Sequence, residues 1–209
     1  MPATTISAAV NFLIVAVILY SNIAVAQPFS FPREFDWRTK GVVPPVQNQG
    51  EIGESTVFGG VSAVESFFAI ESGKLVQLSV AEAADCCSTG FPDYVFICFA
   101  GIGGLCSAAS YPKQLGACHS KSCTPVAKVT GEIKVESGNE TDLQLVLLVR
   151  PVLVAVDASH LSFQTYSGGV YSEPSCSTEK LDHAMLLVGY GTTGGVDYWI
   201  CQNSWGEDV

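Results

Sequence analysis

Residues 182–206 read DHAMLLVGYGTTGGVDYWICQNSWG. Two apolar runs, Met185–Tyr190 and Val196–Ile200, are separated by Gly191-Thr192-Thr193-Gly194-Gly195, the pattern of a β-hairpin. His183 opens the first strand and Asn203 follows the second. The hairpin therefore brings an imidazole and a carboxamide to one end of a sheet, where the amide can orient the ring towards a nucleophile. Upstream, Val152–Val156 is a short apolar run between Pro151 and Asp157 and reads as a further strand.

A nucleophile position stands far towards the N-terminus. In Gln49-Gly50-Glu51-Ile52-Gly53-Glu54-Ser55 a hydroxyl sits where a helix begins, among free backbone N–H groups and the positive end of the helix dipole. From Val57 the apolar residues Val57, Phe58, Val61, Val64, Phe67 and Phe68 recur at three- and four-residue spacing, and Gly73 marks the C-terminal cap. A helix apolar on all sides belongs in the middle of a domain. Ser79–Glu82 has the form of a capping box opening a short helix towards Asp85. Thr141–Gln144 is a second, opening a helix that must end before Pro151. Residues 86–125 hold six of the eight cysteines with many Gly, Ser and Pro, and read as a loop-rich stretch with little regular structure. A helical, cysteine-rich half thus precedes a β half, without internal repeats.

Asp and Glu number 20 against 10 Lys and Arg, and the net charge of −10 excludes nucleic acid or an anionic membrane surface as a partner. No cysteines stand in a CxxC arrangement, so neither a metal nor another cofactor is expected. The apolar run Ile6–Ile23 leads into Ala24-Val25-Ala26, so residues 1–26 read as a cleaved signal peptide. A retained membrane anchor is the alternative, disfavoured because Asn11 and Asn22 interrupt the run. A secreted or lysosomal/vacuolar monomer with disulfides and no stable membrane anchor is the expectation. Asn139-Glu140-Thr141 is a glycosylation sequon, Cys201 reads as a small buried apolar residue, and His119 and His160 read as solvated without partners.

Nine ordered blocks carry a resemblance: FDWR (35–38), PVQNQG (45–50), GKLVQLS (73–79), Asp85-Cys86, SYP (110–112), YSGGVY (166–171), Asp182-His183-Ala184, VGYG (188–191), and YWI (198–200) with NSWG (203–206). In these the chain resembles the papain-like cysteine peptidases, cathepsin-type, over nearly its whole length after residue 26. The resemblance implies an α+β, two-lobed fold with the active-site cleft between a helical lobe (about 45–125) and a β-barrel-like lobe (about 126–209). It implies that no propeptide is encoded and that the closing C-terminal strands are missing. A helical segment of the first lobe is expected to be absent between Gly101 and Ile102.

Carried over by position, Ser55, His183 and Asn203 are the catalytic residues, with Ser55 where the family has its nucleophilic cysteine. Gln49 falls on the oxyanion-hole glutamine, Trp205 on the tryptophan shielding the His–Asn pair, and Gly101 on a substrate-backbone contact. A hydroxyl cannot form the resting thiolate–imidazolium pair that a cysteine forms once its pKa falls below about 8.5. Glu54 beside the oxyanion hole would oppose the charge that develops in acyl transfer. Thr56 replaces the expected tryptophan, and Ile52 replaces the cysteine that normally pairs with Cys86. The resemblance favours disulfides Cys98–Cys118 and Cys106–Cys123, leaving Cys86 and Cys176 without their usual partners.

The expected function is that of a peptidase homologue acting on peptide or protein substrates, with activity weakened or lost through Ser55. A non-catalytic secreted protein holding peptides or a cystatin-type inhibitor in its cleft is the alternative. A truncated product that does not fold stably ranks third. A link to silica deposition ranks last, because relatives of that kind keep the cysteine that is Ile52 here.

Overall fold

Within the described residues, 30–207 apart from 89, 91 and 115, the computed structural model runs in this order. Strand β1 is Phe35–Asp36, followed by helices α1 (Ser55–Ser72), α2 (Val80–Cys87), α3 (Pro92–Gly101) and α4 (Glu140–Leu147). Then come β2 (Val152–Val156), the short helix α5 (Leu161–Gln164), β3 (His183–Thr193) and β4 (Val196–Gln202). The chain from Arg33 onward forms one unit, to which everything below refers. The expected signal peptide lies outside the described residues. No helix among them is long and apolar enough to cross a membrane.

β3 is the axis of an antiparallel sheet. β2 pairs with it from Val152↔Leu187 to Val156↔His183, and β1 continues that side at Phe35↔Tyr190. β4 pairs along the other side, with the register shifting between Leu187 and Gly189. His183–Gly191 is buried without alternation, because both faces of this strand are covered. Leu186 and Val188 pack with Ala63 of α1, whereas Leu187 and Tyr190 pack with Leu147 at the end of α4. Residues three apart share a face because the bulge at Val188 inserts one residue. Gly189 is required there: a Cβ would strike the backbone of Phe35 and Asp36. The hairpin turn is the pair Gly194 and Gly195, both at positive φ (58° and 83°), as a two-residue hairpin turn demands.

α1 joins the two halves. Its Val57, Val61 and Val64 meet Leu78, Ala83, Val95, Phe99 and Leu105 in the helical core. Gly59 and Gly60 let it approach Leu153 of β2 on one side and Val95 and Phe99 of α3 on another. Gly73, at φ 71°, closes the helix by donating its N–H to Ala69 O (2.9 Å).

Several sequence expectations change here. Residues 86–125 are not merely loop-rich: Pro92–Gly101 is a helix, and it contains both Cys98 and Gly101. A run as apolar as YVFICFAG gives little helical periodicity, which is why composition concealed it. α4 is capped by Asn139, whose Oδ1 accepts from the Asp142 N–H (3.1 Å), and not by Thr141. Ser79 caps α2 by accepting from the Glu82 N–H (2.9 Å), but Glu82 does not return the bond. Its carboxylate accepts instead from Cys106 N–H (2.8 Å).

The disulfides also differ. Cys98 joins Cys87, not Cys118, and Cys118 joins Cys86, while Cys106 joins Cys123. Adjacent residues on a helix point about 100° apart. Cys87 therefore turns inward to α3 while Cys86 reaches the loop at Cys118. Three bridges leave Cys176 and Cys201 as free thiols. Cys201 packs beside Leu147, Leu187 and Tyr190, and burial pushes its thiol up to about 12.

Candidate functional site

Ser55 is the first residue of α1, with Glu54 in the cap position. The Ser55 Oγ accepts a hydrogen bond from the Ala184 backbone N–H (3.1 Å), which ties the helix start to the first turn of β3. His183, 7% exposed, precedes Ala184 and opens that strand. Its Nε2 lies 2.7 Å from Asn203 Oδ1, which also accepts from the Ser204 N–H (2.8 Å). A backbone amide can only donate, so the Asn203 atom facing both groups is its oxygen. His183 Nε2 must then carry a proton, leaving Nδ1 with the lone pair in the neutral ring. Among the described hydrogen bonds none joins Ser55 to His183.

Trp205 covers the imidazole, with ring centroids 5.0 Å apart at 38°. Its backbone bridges to Asn48, and Gly206 N–H donates to Gln47 O (3.1 Å). The segment after β4 is thereby laid beside the one before α1. Gln49 belongs to the same seam: its N–H donates to Ser204 O (2.7 Å), and its Oε1 accepts from the Ser204 hydroxyl (2.7 Å). With Oε1 occupied, the amide nitrogen remains as the donating end. Glu54 turns its Oε1 to the Ser88 hydroxyl, while its Oε2 is buried without a partner. A carboxylate at the N-terminal end of a helix is favourably placed relative to the dipole.

Other expected positions lie elsewhere. Gly101 is exposed at the C-terminal end of α3, so its backbone belongs to a helix and not to an extended strand that could pair with a peptide. Thr56 is buried in the first turn of α1. Asn139 stands at the start of α4 with its Nδ2 donating to Asp142 Oδ2 (2.7 Å). His160 is not without a partner: its Nε2 lies 3.4 Å from Asp157 Oδ2. Asp157 is held well below the usual carboxylate range by Ser159 and by the Ser177 N–H.

Sequence reasoning missed Phe163 of α5. Its ring meets His183 (6.3 Å) and Trp205 (5.7 Å) edge-on, so two aromatic rings flank the imidazole. Nothing in HLSFQTY (160–166) marks that phenylalanine locally, because only the return of the chain through β3 puts it there. The Ala184 N–H was equally invisible, being a backbone group.

Fold and cleft together define an α+β, two-lobed protein of the papain-like type. The model of the "Papain family cysteine protease" matches residues 31–209. Cysteine proteinase 3 of Dictyostelium discoideum is 43% identical over 189 residues, covering 85% of this chain and 56% of that protein. Procathepsin L of Mus musculus is 39% identical over 191 residues, covering 85% and 57%. A solved digestive procathepsin L 3 from Tenebrio molitor larval midgut superposes with a TM-score of 0.75 at 33% identity, covering 87% of this chain and 62% of that one. The chain belongs to the papain family of cysteine proteases. It spans a little over half the length of the curated relatives it matches.

Proposed function

We propose that this protein is a papain-family peptidase homologue that takes peptide segments into the cleft at Ser55, His183 and Asn203, with hydrolysis weak or lost. Ser55 stands for the family's nucleophilic cysteine, and Gln49 supplies the side-chain donor for an oxyanion. Trp205 shields the His183–Asn203 pair. The observation that carries this reading is the Ala184 N–H bond to Ser55 Oγ. The hydroxyl is held by a backbone donor while the imidazole is engaged with Asn203. A thiol here would lose its proton to the imidazole; a hydroxyl keeps its proton until a general base removes it during attack.

The test is Ser55→Cys. The substituted protein is expected to gain thiol-dependent cleavage of fluorogenic peptides, while the unsubstituted protein shows little turnover and no labelling by a fluorophosphonate. Equal turnover in the unsubstituted protein and in Ser55→Ala would dismiss Ser55 as a nucleophile. An inactive but folded Ser55→Cys protein would place the defect in the surrounding cleft.

The second reading is a non-catalytic binding protein, favoured by the intact seam of Gln49, Ser204, Asn203, His183 and Trp205 around a hydroxyl. It predicts that a cystatin-type inhibitor or a peptide binds without being cleaved. Calorimetry showing no binding of either would remove it. A secretory destination, secreted or lysosomal/vacuolar, accompanies both readings, supported by the apolar N-terminal run and by the disulfides.

A further inference from the structure

Asn139-Glu140-Thr141 is the one Asn-x-Ser/Thr sequence in the chain, and the cleft chemistry makes no use of it. The fold sets it on the surface, between a turn and α4. Ser137, Gly138, Glu140 and Thr141 are exposed, and Asn139 is half-buried. The Asn139 N–H donates to Glu136 O (3.0 Å), closing a turn in which Gly138 has φ 81°. α4 then begins at Glu140.

We propose that Asn139 carries an N-linked glycan and that the modified carboxamide still caps α4. The proposal rests on the secretory reading given above, because only a chain entering a eukaryotic secretory route meets the glycan donor. The bridges Cys86–Cys118, Cys87–Cys98 and Cys106–Cys123 suit the same oxidising compartment.

Acceptor chemistry is the first reason. A glycan acceptor needs a carboxamide, a hydroxyl two residues on, and no proline between them. Asn139, Thr141 and Glu140 supply all of this. The donor is an oligosaccharide joined through its first sugar to a lipid diphosphate. A bond forms from Asn139 Nδ2 to the anomeric carbon as the bond from that carbon to the phosphate oxygen breaks. The diphosphate leaves with the electron pair, Nδ2 loses one proton, and nothing is oxidised or reduced.

The carboxamide's own bonds are the second reason. Asn139 Oδ1 accepts from the Asp142 N–H (3.1 Å), and Nδ2 donates to Asp142 Oδ2 (2.7 Å). A primary amide nitrogen carries two hydrogens. The cap consumes one, and the second enters no described hydrogen bond. Exchanging that hydrogen for a sugar leaves a secondary amide with its carbonyl and one N–H, which is all that the cap requires.

Placement is the third reason. α4 packs on β3 through Leu147 against Leu187, whereas α1 packs through Ala63 against Leu186 and Val188. The two helices therefore lie on opposite faces of the sheet. α1 is the helix that delivers Ser55, so a glycan at the start of α4 leaves the cleft open.

Translation of the full chain with endoplasmic-reticulum microsomes tests the proposal. The product should be protected from added protease and show a single mobility shift. Peptide N-glycosidase should reverse the shift, leaving an aspartate at position 139 for mass spectrometry to find. Thr141→Ala should abolish the shift and Thr141→Ser should keep it, both substitutions leaving Asn139 and Asp142 in place. Amide exchange at Asp142 should be equally slow in the glycosylated chain and in Thr141→Ala. A chain that stays open to protease would overturn the proposal together with the secretory reading. A protected chain of unshifted mobility, or a shift that persists in Thr141→Ala, would overturn the glycan alone. Faster exchange at Asp142 in the glycosylated chain would overturn the retained cap.

Discussion

Asn203 Oδ1 receives two N–H donors, and this small fact sets the tautomer of its partner ring: neutral His183 keeps its proton on Nε2 and its lone pair at Nδ1. In a Ser55→Cys background, Asn203→Ala is expected to slow alkylation of the new thiol by iodoacetamide about tenfold or more near neutral pH. Comparing the pH profiles of the two proteins checks this; identical profiles would show that Asn203 does not orient the ring. Glu65 acts at the same scale but through stability. It is fully buried, accepts from the Leu78 N–H (2.7 Å) with one oxygen, and leaves the other unpartnered. Burial raises its pKa from 4.5 to about 7. The folded state therefore holds this proton more tightly than the unfolded state. The contribution is full below pH 4.5, declines between 4.5 and about 7, and is gone above that. Glu65→Gln should flatten urea-midpoint stability across that window by an amount on the order of 2–3 kcal/mol. An unchanged slope would assign the pH dependence to other groups.

At the scale of elements, α2 depends on a single buried hydroxyl. Ser79 Oγ accepts from the Glu82 N–H and donates to Tyr111 O (2.6 Å), so it serves both the helix and the loop at Tyr111. Ser79→Ala removes a cap and orphans a carbonyl, and is expected to cost about 2–3 kcal/mol in denaturant unfolding. A loss below about 0.5 kcal/mol would mean that water replaces the hydroxyl at both partners. The Cys87–Cys98 bridge ties the last turn of α2 to α3 across a sequence separation of 11. Replacing both cysteines by alanine should lower stability by about 3 kcal/mol, the loop-closure entropy returned to the unfolded chain. Peptide mapping of the oxidised protein checks the connectivity itself: a Cys98–Cys118 peptide would contradict the pairing.

At the scale of the molecule, α1 is shared property. It packs on α2 and α3 through Val57, Val61 and Val64, and on the sheet through Ala63 and Gly59. Neither lobe has a complete core without it. Heat should therefore unfold helices and sheet together, with far-ultraviolet and near-ultraviolet circular dichroism giving coincident transitions. Two separated transitions would show that the lobes are independent units. The same sharing builds the cleft, because α1 delivers Ser55 while β3 delivers Ala184 and His183 to its first turn.

The residues that carry local rules were legible in the chain itself. The hairpin followed from two apolar runs and its glycines, the buried helix from its spacing and Gly73, and the cap of α2 from Ser79. The His183, Asn203, Gln49 and Trp205 positions were legible too, because short ordered blocks surround them. Tertiary structure alone decided what depends on distant partners. Cys98 was free to be matched with Cys118 until α3 formed and set it beside Cys87. Asn139 took the cap from Thr141 because helix ends compete over a residue or two. His183 gained Phe163 through a chain reversal that no spacing announces. Local hydrogen bonding and hydrophobic periodicity are written within a few residues of each other, whereas an aromatic cover or a disulfide is a meeting in space.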